Sequence, residues 1–240
     1  MTCLHMELSF IAVSNVNTVG GTDQWNIKWK DVSCCPALES LKCKLTKITA
    51  LDLSNCRALT DLDCSKNPIT ALDVSCCSAL ESLMCAMTEI TVLDVSCCRA
   101  LESLTCAGTK ITALDVSCCP ALESLMCTWT KIATLDVSRC TALKSMYCDG
   151  NQIATLDVSN CPALKSLTCY STQITALDVS SCPELESLCC NHTQITALDV
   201  SCYPKLKILE CNHTRITAAL DLSNCPALHG SRIATNCHDD

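Results

Sequence analysis

The aspartate of the motif LDVS or LDLS falls at Asp52, Asp73, Asp94, Asp115, Asp136, Asp157, Asp178 and Asp199, a step of 21 residues every time. A fixed period of that length means one supersecondary unit stacked on copies of itself, which constrains the fold before any single residue does. The next aspartate, Asp221, is displaced by one through the extra alanine of ITAALDLS, and Asp31 in WKDVSCCPAL marks a partial unit. Nine full repeats run from Leu38 to Ala227. Within each, stretches such as LESLMC and ALDVS alternate apolar and polar residues with period two, so each coil offers two short extended segments with one face inward. A lone coil loses roughly 30 kcal/mol of conformational entropy, at about 1.5 kcal/mol per residue, with nothing to cover its apolar edges. Stacking supplies the cover. The pattern predicts a β-rich solenoid, with short parallel strands on two sides, little or no helix, and a length of roughly 45 Å at a strand spacing of about 4.8 Å. Residues 1–30, with Trp25 and Trp29, are expected to be an N-terminal cap or irregular segment. Residues 31–227 form the solenoid, and 228–240 break the pattern as a C-terminal tail or truncated cap.

Written out, the unit reads LxxLxCxx(T/N)xIxxLD(V/L)SxCxx. This resembles a leucine-rich repeat: the first eleven positions match the family's LxxLxLxxNxL, with Cys for the third Leu and usually Thr for Asn. Only Asn67 and Asn151 keep the amide. The second half, LDVSxC, is similar to the nested bacterial class of short, cysteine-containing repeats, in which this half imitates the first. The resemblance covers residues 31 to 228 and is specific for fold, while a fold by itself says little of function. It implies a partner bound on the sheet of LxxLxC strands and favours a secreted or cell-surface location. The first residues, MTCLHMELSFIAVSNVN, lack the cationic start and unbroken apolar core of a secretory signal.

Twenty-six cysteines demand an explanation. One column holds Cys43, Cys64, Cys85, Cys106, Cys127, Cys148, Cys169, Cys190 and Cys211, each where the family places an inward leucine. A second, at the corner after LDVS, holds Cys35, Cys56, Cys77, Cys98, Cys119, Cys140, Cys161, Cys182 and Cys225, interrupted by Tyr203. Stacked Cα atoms about 4.8 Å apart suit a disulfide, but in-register side chains keep their Cβ atoms beyond the roughly 3.5–4.5 Å that a bridge prefers. Both columns are therefore read as free cysteine acting as a small, buried hydrophobe. The adjacent pairs Cys34/Cys35, Cys76/Cys77, Cys97/Cys98 and Cys118/Cys119 place one thiol inward and its neighbour outward. Cys76, Cys97 and Cys118 are then the thiols most open to oxidation. Zinc needs convergent ligands, usually two short CxxC or HxxxH pairs. The nearest approach is Cys189, Cys190, His192, Cys211 and His213 on neighbouring coils, where two members are core positions, so no metal site and no cofactor is assigned.

The rest of the composition narrows the function. A formal net charge of -8 and the absence of a basic run argue against nucleic acid as a partner. No apolar run approaches the roughly 20 residues needed to span a bilayer, so no membrane insertion is expected. Catalytic residues need unique positions, whereas the Asp and Ser columns recur in every coil and His5, His229 and His238 lie in the irregular ends. A non-enzymatic protein is expected.

If repeated positions build the scaffold, varying positions carry recognition. Position five reads Lys42, Asp63, Met84, Thr105, Met126, Tyr147, Thr168, Cys189, Glu210, and position eight reads Leu45, Lys66, Met87, Gly108, Trp129, Gly150, Ser171, His192, His213. Position seven adds Tyr170. Met84, Met87, Met126, Trp129, Tyr147 and Tyr170 thus form a candidate partner-binding stripe, apolar enough to mark an interface. The leading expectation is a protein-interaction module. Two alternatives are end-to-end self-assembly through weakly capped ends and binding of ice or another repetitive surface. The latter would use paired threonine columns, Thr49, Thr70, Thr91, Thr112, Thr175, Thr196 and Thr217 beside Thr46, Thr88, Thr109, Thr130, Thr172, Thr193 and Thr214. Against it, the second column also reads as a buried replacement for the family's asparagine ladder.

Overall fold

A computed structural model describes residues 6–7, 32, 35–228 and 233–235 of the chain. Each LxxLxC segment forms one short strand: β2 Ser40–Lys42, β3 Asp61–Asp63, β4 Ser82–Met84, β5 Ser103–Thr105, β7 Ser124–Met126, β9 Ser145–Tyr147, β10 Ser166–Thr168, β11 Ser187–Cys189 and β12 Ile208–Cys211. They stack in chain order as one parallel sheet in strict register, Leu83 opposite Leu104, Leu104 opposite Leu125. Nine strands separated by eight complete turns are the solenoid that the period predicts. Two further strands extend the sheet at its ends: β1, Met6–Glu7, pairs with β2, and β13, Ile233–Thr235, pairs with β12. Trp25 and Trp29, expected in the N-terminal cap, lie outside the described residues.

The second side differs from expectation. A regular ladder joins only β6, Leu114–Asp115, and β8, Leu135–Asp136, among the described residues. The cause is local. In every coil the LDVS aspartate turns back and accepts the backbone N–H of the serine two residues on, at 3.0 Å for Asp52–Ser54 and 2.8 Å for Asp136–Ser138. That Asx turn satisfies the backbone inside its own coil and rounds the corner instead of extending a strand. Coils remain tied on this side by single backbone bonds, such as Lys110 N–H to the Ile90 carbonyl at 2.9 Å.

Between the two sides lie stacked columns of Leu, Ile, Val and Cys, nearly all without solvent contact. The first cysteine column is buried throughout, from Cys43 to Cys211, as the leucine-like reading predicts. The corner column is buried from Cys56 to Cys182 and again at Cys225. All 23 described cysteines are unbridged. In the corner column the thiol also donates to a valine carbonyl of the preceding coil, Cys56 to Val32 at 3.4 Å and Cys182 to Val158 at 3.6 Å. Tyr203 keeps this device with a larger side chain, since its hydroxyl donates to the Val179 carbonyl.

The threonines that replace the asparagine ladder are likewise internal. Thr88, Thr109, Thr130, Thr172 and Thr193 are buried, and each hydroxyl donates to the carbonyl of the cysteine three residues earlier, as Thr88 does to Cys85 at 2.8 Å. Asn67 and Asn151 do more. The Asn67 amide reaches its own coil at the Cys64 carbonyl (2.9 Å) and the previous coil at the Cys43 carbonyl (2.8 Å). Only the column from Thr49 to Thr217 is exposed, and Ala133 and Ala154 interrupt it, so the chain does not present the paired hydroxyl array that a lattice-binding face requires.

Candidate interaction face

Position eight, just past each strand, is where the chain leaves the sheet, and the backbone there is left-handed in all nine coils. The φ angles are 61° at Leu45, 58° at Lys66, 55° at Met87, 67° at Gly108, 55° at Trp129, 67° at Gly150, 53° at Ser171, 55° at His192 and 54° at His213. Glycine adopts this region freely, while a side chain there costs roughly 1–2 kcal/mol. Two coils use glycine. The others hold leucine, lysine, methionine, tryptophan, serine and two histidines, and the large apolar ones stand in solvent: Leu45, Met87 and Trp129 are 64%, 62% and 60% exposed. These side chains add little to the core, yet the backbone bears strain to display them.

The glycines make room for their neighbours. A Cβ on Gly150 would fall 2.3 Å from Cε3 of Trp129, so the indole lies directly over the next coil and only glycine fits beneath it. Gly108 sits under Met87 with ordinary contact, a Cβ there meeting Cγ at 3.5 Å. From Trp129 an aromatic ridge continues along the solenoid. Tyr170 meets the indole edge-on at 6.2 Å, His192 meets Tyr170 edge-on at 5.4 Å, and His213 stacks on His192 at 4.3 Å with 19° between the rings.

Of the residues expected from the sequence, Met87 and Trp129 lie on this ridge with Tyr170 beside them. Met84, Met126 and Tyr147 lie on the outward face of the strands, Met84 exposed and the other two half-buried. Met126 and Tyr147 are ladder partners, while Thr105 separates Met126 from Met84. The six therefore occupy two neighbouring rows, and the fourth coil contributes only Thr105 and Gly108.

Four side chains here were not singled out for this face by the sequence pattern: Leu45, His192, His213 and Asp149. The histidines had been weighed as metal ligands, but their rings stack face to face instead of converging, Cys190 and Cys211 are buried, and the Cys189 thiol lies 3.6 Å from Glu210 Oε2. Asp149 is a fastener. Its carboxylate accepts the Tyr170 N–H at 2.9 Å and the Thr168 hydroxyl at 2.8 Å, so it fixes the backbone that carries Tyr170. Burial raises its carboxyl above the ordinary range despite these hydrogen bonds. Asn191 repeats the arrangement two coils on, accepting the Asn212 N–H at 2.6 Å and donating to Glu210 at 3.0 Å.

Compared by sequence with protein-family models and with curated proteins, the chain finds no match. Solved structures do match it. The functional domain of InlJ from Listeria monocytogenes, which includes a cysteine ladder, is 37% identical with a TM-score of 0.80 over 82% of this chain and 44% of that one. A leucine-rich repeat protein of Leptospira interrogans is 21% identical with a TM-score of 0.71, over 79% of this chain and 52% of that one. The internalin InlF of Listeria monocytogenes is 22% identical with a TM-score of 0.76, over 88% of this chain and 65% of that one. The chain spans less than two thirds of the length of each. Its 21-residue coils, long parallel sheet and stacked cysteine columns are those of a leucine-rich repeat protein with a cysteine ladder.

Proposed function

We propose that this chain is a non-enzymatic interaction module whose partner is a protein, held on the outward strand face and the ridge beside it. The observation that carries this reading is the left-handed column: bulky, solvent-exposed Leu45, Met87 and Trp129 occupy a backbone conformation that glycine fills without strain in two other coils. Strain of this kind persists at functional sites when the surrounding structure holds it in place. Trp129 is the anchor, because a large exposed aromatic braced by Tyr170 and Gly150 is preorganised for burial in an interface. The outward residues of the third to sixth strands, Met84, Thr105, Met126 and Tyr147, carry no charge, which suits an uncharged, apolar partner surface and not a nucleic acid backbone.

The test pairs binding with folding. Trp129→Gly with Tyr147→Ser should abolish capture of the partner that the unaltered chain draws from its native source, while the melting temperature stays within a few degrees. Equal capture by the two proteins, or loss of capture only together with loss of folding, would remove the basis of the reading. Self-assembly through the ends has no comparable support, since both end segments lie mostly outside the described residues.

A further inference from the structure

Three consecutive coils carry adjacent cysteine pairs at the corner after LDVS: Cys76/Cys77, Cys97/Cys98 and Cys118/Cys119. The inner members are buried, and burial pushes Cys77 up to about 12, Cys119 up to about 11 and Cys98 well above the ordinary thiol range, so they stay protonated and inert. The outer members were expected to behave alike, and they do not. Cys76 and Cys118 are exposed, but Cys97 is half-buried and packs against the core. Its Sγ lies 3.1 Å from the Val74 carbonyl of the preceding coil, taking the acceptor that the inner cysteine uses elsewhere, as Cys119 does at Val95 and Cys140 at Val116.

Cys97 thus leans back towards the coil that bears Cys76, two residues beyond Val74. Stacked corner positions lie about 4.8 Å apart at Cα, within reach of a disulfide, and the obstacle is the parallel course of the Cβ bonds. A thiol turned towards the preceding coil departs from that parallel course on the side of Cys76. The Cys97 and Cys98 sulfurs are 3.6 Å apart, but adjacent Cα atoms are separated by about 3.8 Å, below the span a disulfide favours.

We propose that Cys76 and Cys97 form a thiol–disulfide exchange site that takes a small oxidised disulfide, such as glutathione disulfide, and closes into a bridge between coils. Cys76 loses its proton to solvent, and its thiolate attacks one sulfur of the disulfide. That S–S bond breaks, a mixed disulfide forms on Cys76, and the first glutathione leaves as thiolate and is protonated. Cys97 then gives up its proton and attacks the Cys76 sulfur, expelling the second glutathione. Two protein thiols are oxidised and one small disulfide is reduced to two thiols. Cys118 has Arg139 at the corner of the next coil and Cys97 turned away from it. Cys202 has Ser181 and Asn224 as its corner neighbours. Both keep any glutathione they acquire.

The experiment treats the folded full chain with glutathione disulfide, blocks remaining thiols with iodoacetamide, and cleaves at glutamate, since Glu81 and Glu89 separate Cys76 from Cys97. Mass spectrometry should find glutathione on Cys118 and Cys202, and Cys76 bridged to Cys97. In Cys97→Ala, Cys76 should retain glutathione, and in Cys118→Ala the bridge should form as before. Arg139 and Asn160 occupy the same corner position in other coils, so Cys97→Ala is compatible with the fold, and an unchanged circular dichroism spectrum checks it. A Cys76 that stays unreacted or keeps glutathione in the unaltered chain, or a bridge from Cys97 to Cys98 or Cys118, overturns the proposal.

Discussion

At the scale of single residues, the same atom type does different work in the two cysteine columns. In the first, thiols replace leucine in an apolar row, and burial pushes Cys43 and Cys127 up to about 12. In the second, thiols also donate to a carbonyl, and at Tyr203 a hydroxyl takes over that bond. Opposite substitutions should therefore be harmful. Cys127→Ser adds a hydroxyl to the apolar row, and Tyr203→Phe removes the donor to a buried carbonyl. Chemical denaturation should show each destabilised by about 1–3 kcal/mol. The columns were legible in the sequence because burial follows the period. The valine-carbonyl bonds were not, because their partner lies 24 residues away in the stacked chain. Nor was the inward turn of Cys97 legible, since its sequence context matches that of Cys76 and Cys118.

At the scale of the repeated element, the Asx turn explains why aspartate recurs in every coil. The serine backbone N–H and hydroxyl, with the hydroxyl leading at Asp136, hold the carboxyls of Asp52, Asp94, Asp136 and Asp199 below the ordinary value of 3.8, against a weaker upward push from desolvation and, at Asp52, from Asp73. A carboxyl whose folded pKa is depressed contributes stability that is full above its unfolded value and is lost as pH falls through the folded one. Asp149 has the opposite sign, because burial raises its carboxyl and its ionised form is the costly one. The depressed column recurs along the solenoid while Asp149 stands alone. The melting temperature should be flat above about pH 5 and fall progressively as pH drops through 3.8 and below it. A rise on acidification would show that mutual repulsion along the column outweighs the turns. Period-two alternation in ALDVS had suggested a strand on this side. The alternation is real in burial, but aspartate closes the backbone into a turn before a ladder can form.

At the scale of the whole molecule, stability is a sum over neighbouring coils, so positions that repeat build the scaffold and positions that vary are released from it. The variation along position eight was legible in the sequence. Its left-handed backbone was signalled only by Gly108 and Gly150, and the larger side chains in the other seven coils concealed it. The central claim is that this column displays side chains the fold does not require. Thermal unfolding of a variant with Leu45, Met87 and Trp129 all changed to Gly tests it without knowledge of the partner. Relief of roughly 1–2 kcal/mol of strain per site offsets the backbone entropy of glycine, about 0.5–1 kcal/mol, and the lost Trp129–Tyr170 contact, about 0.5–1.5 kcal/mol. The variant should therefore melt at or slightly above the temperature of the unaltered chain. A loss of about 2–5 kcal/mol per site, the scale of emptying a buried position, would contradict the account and return these residues to the core.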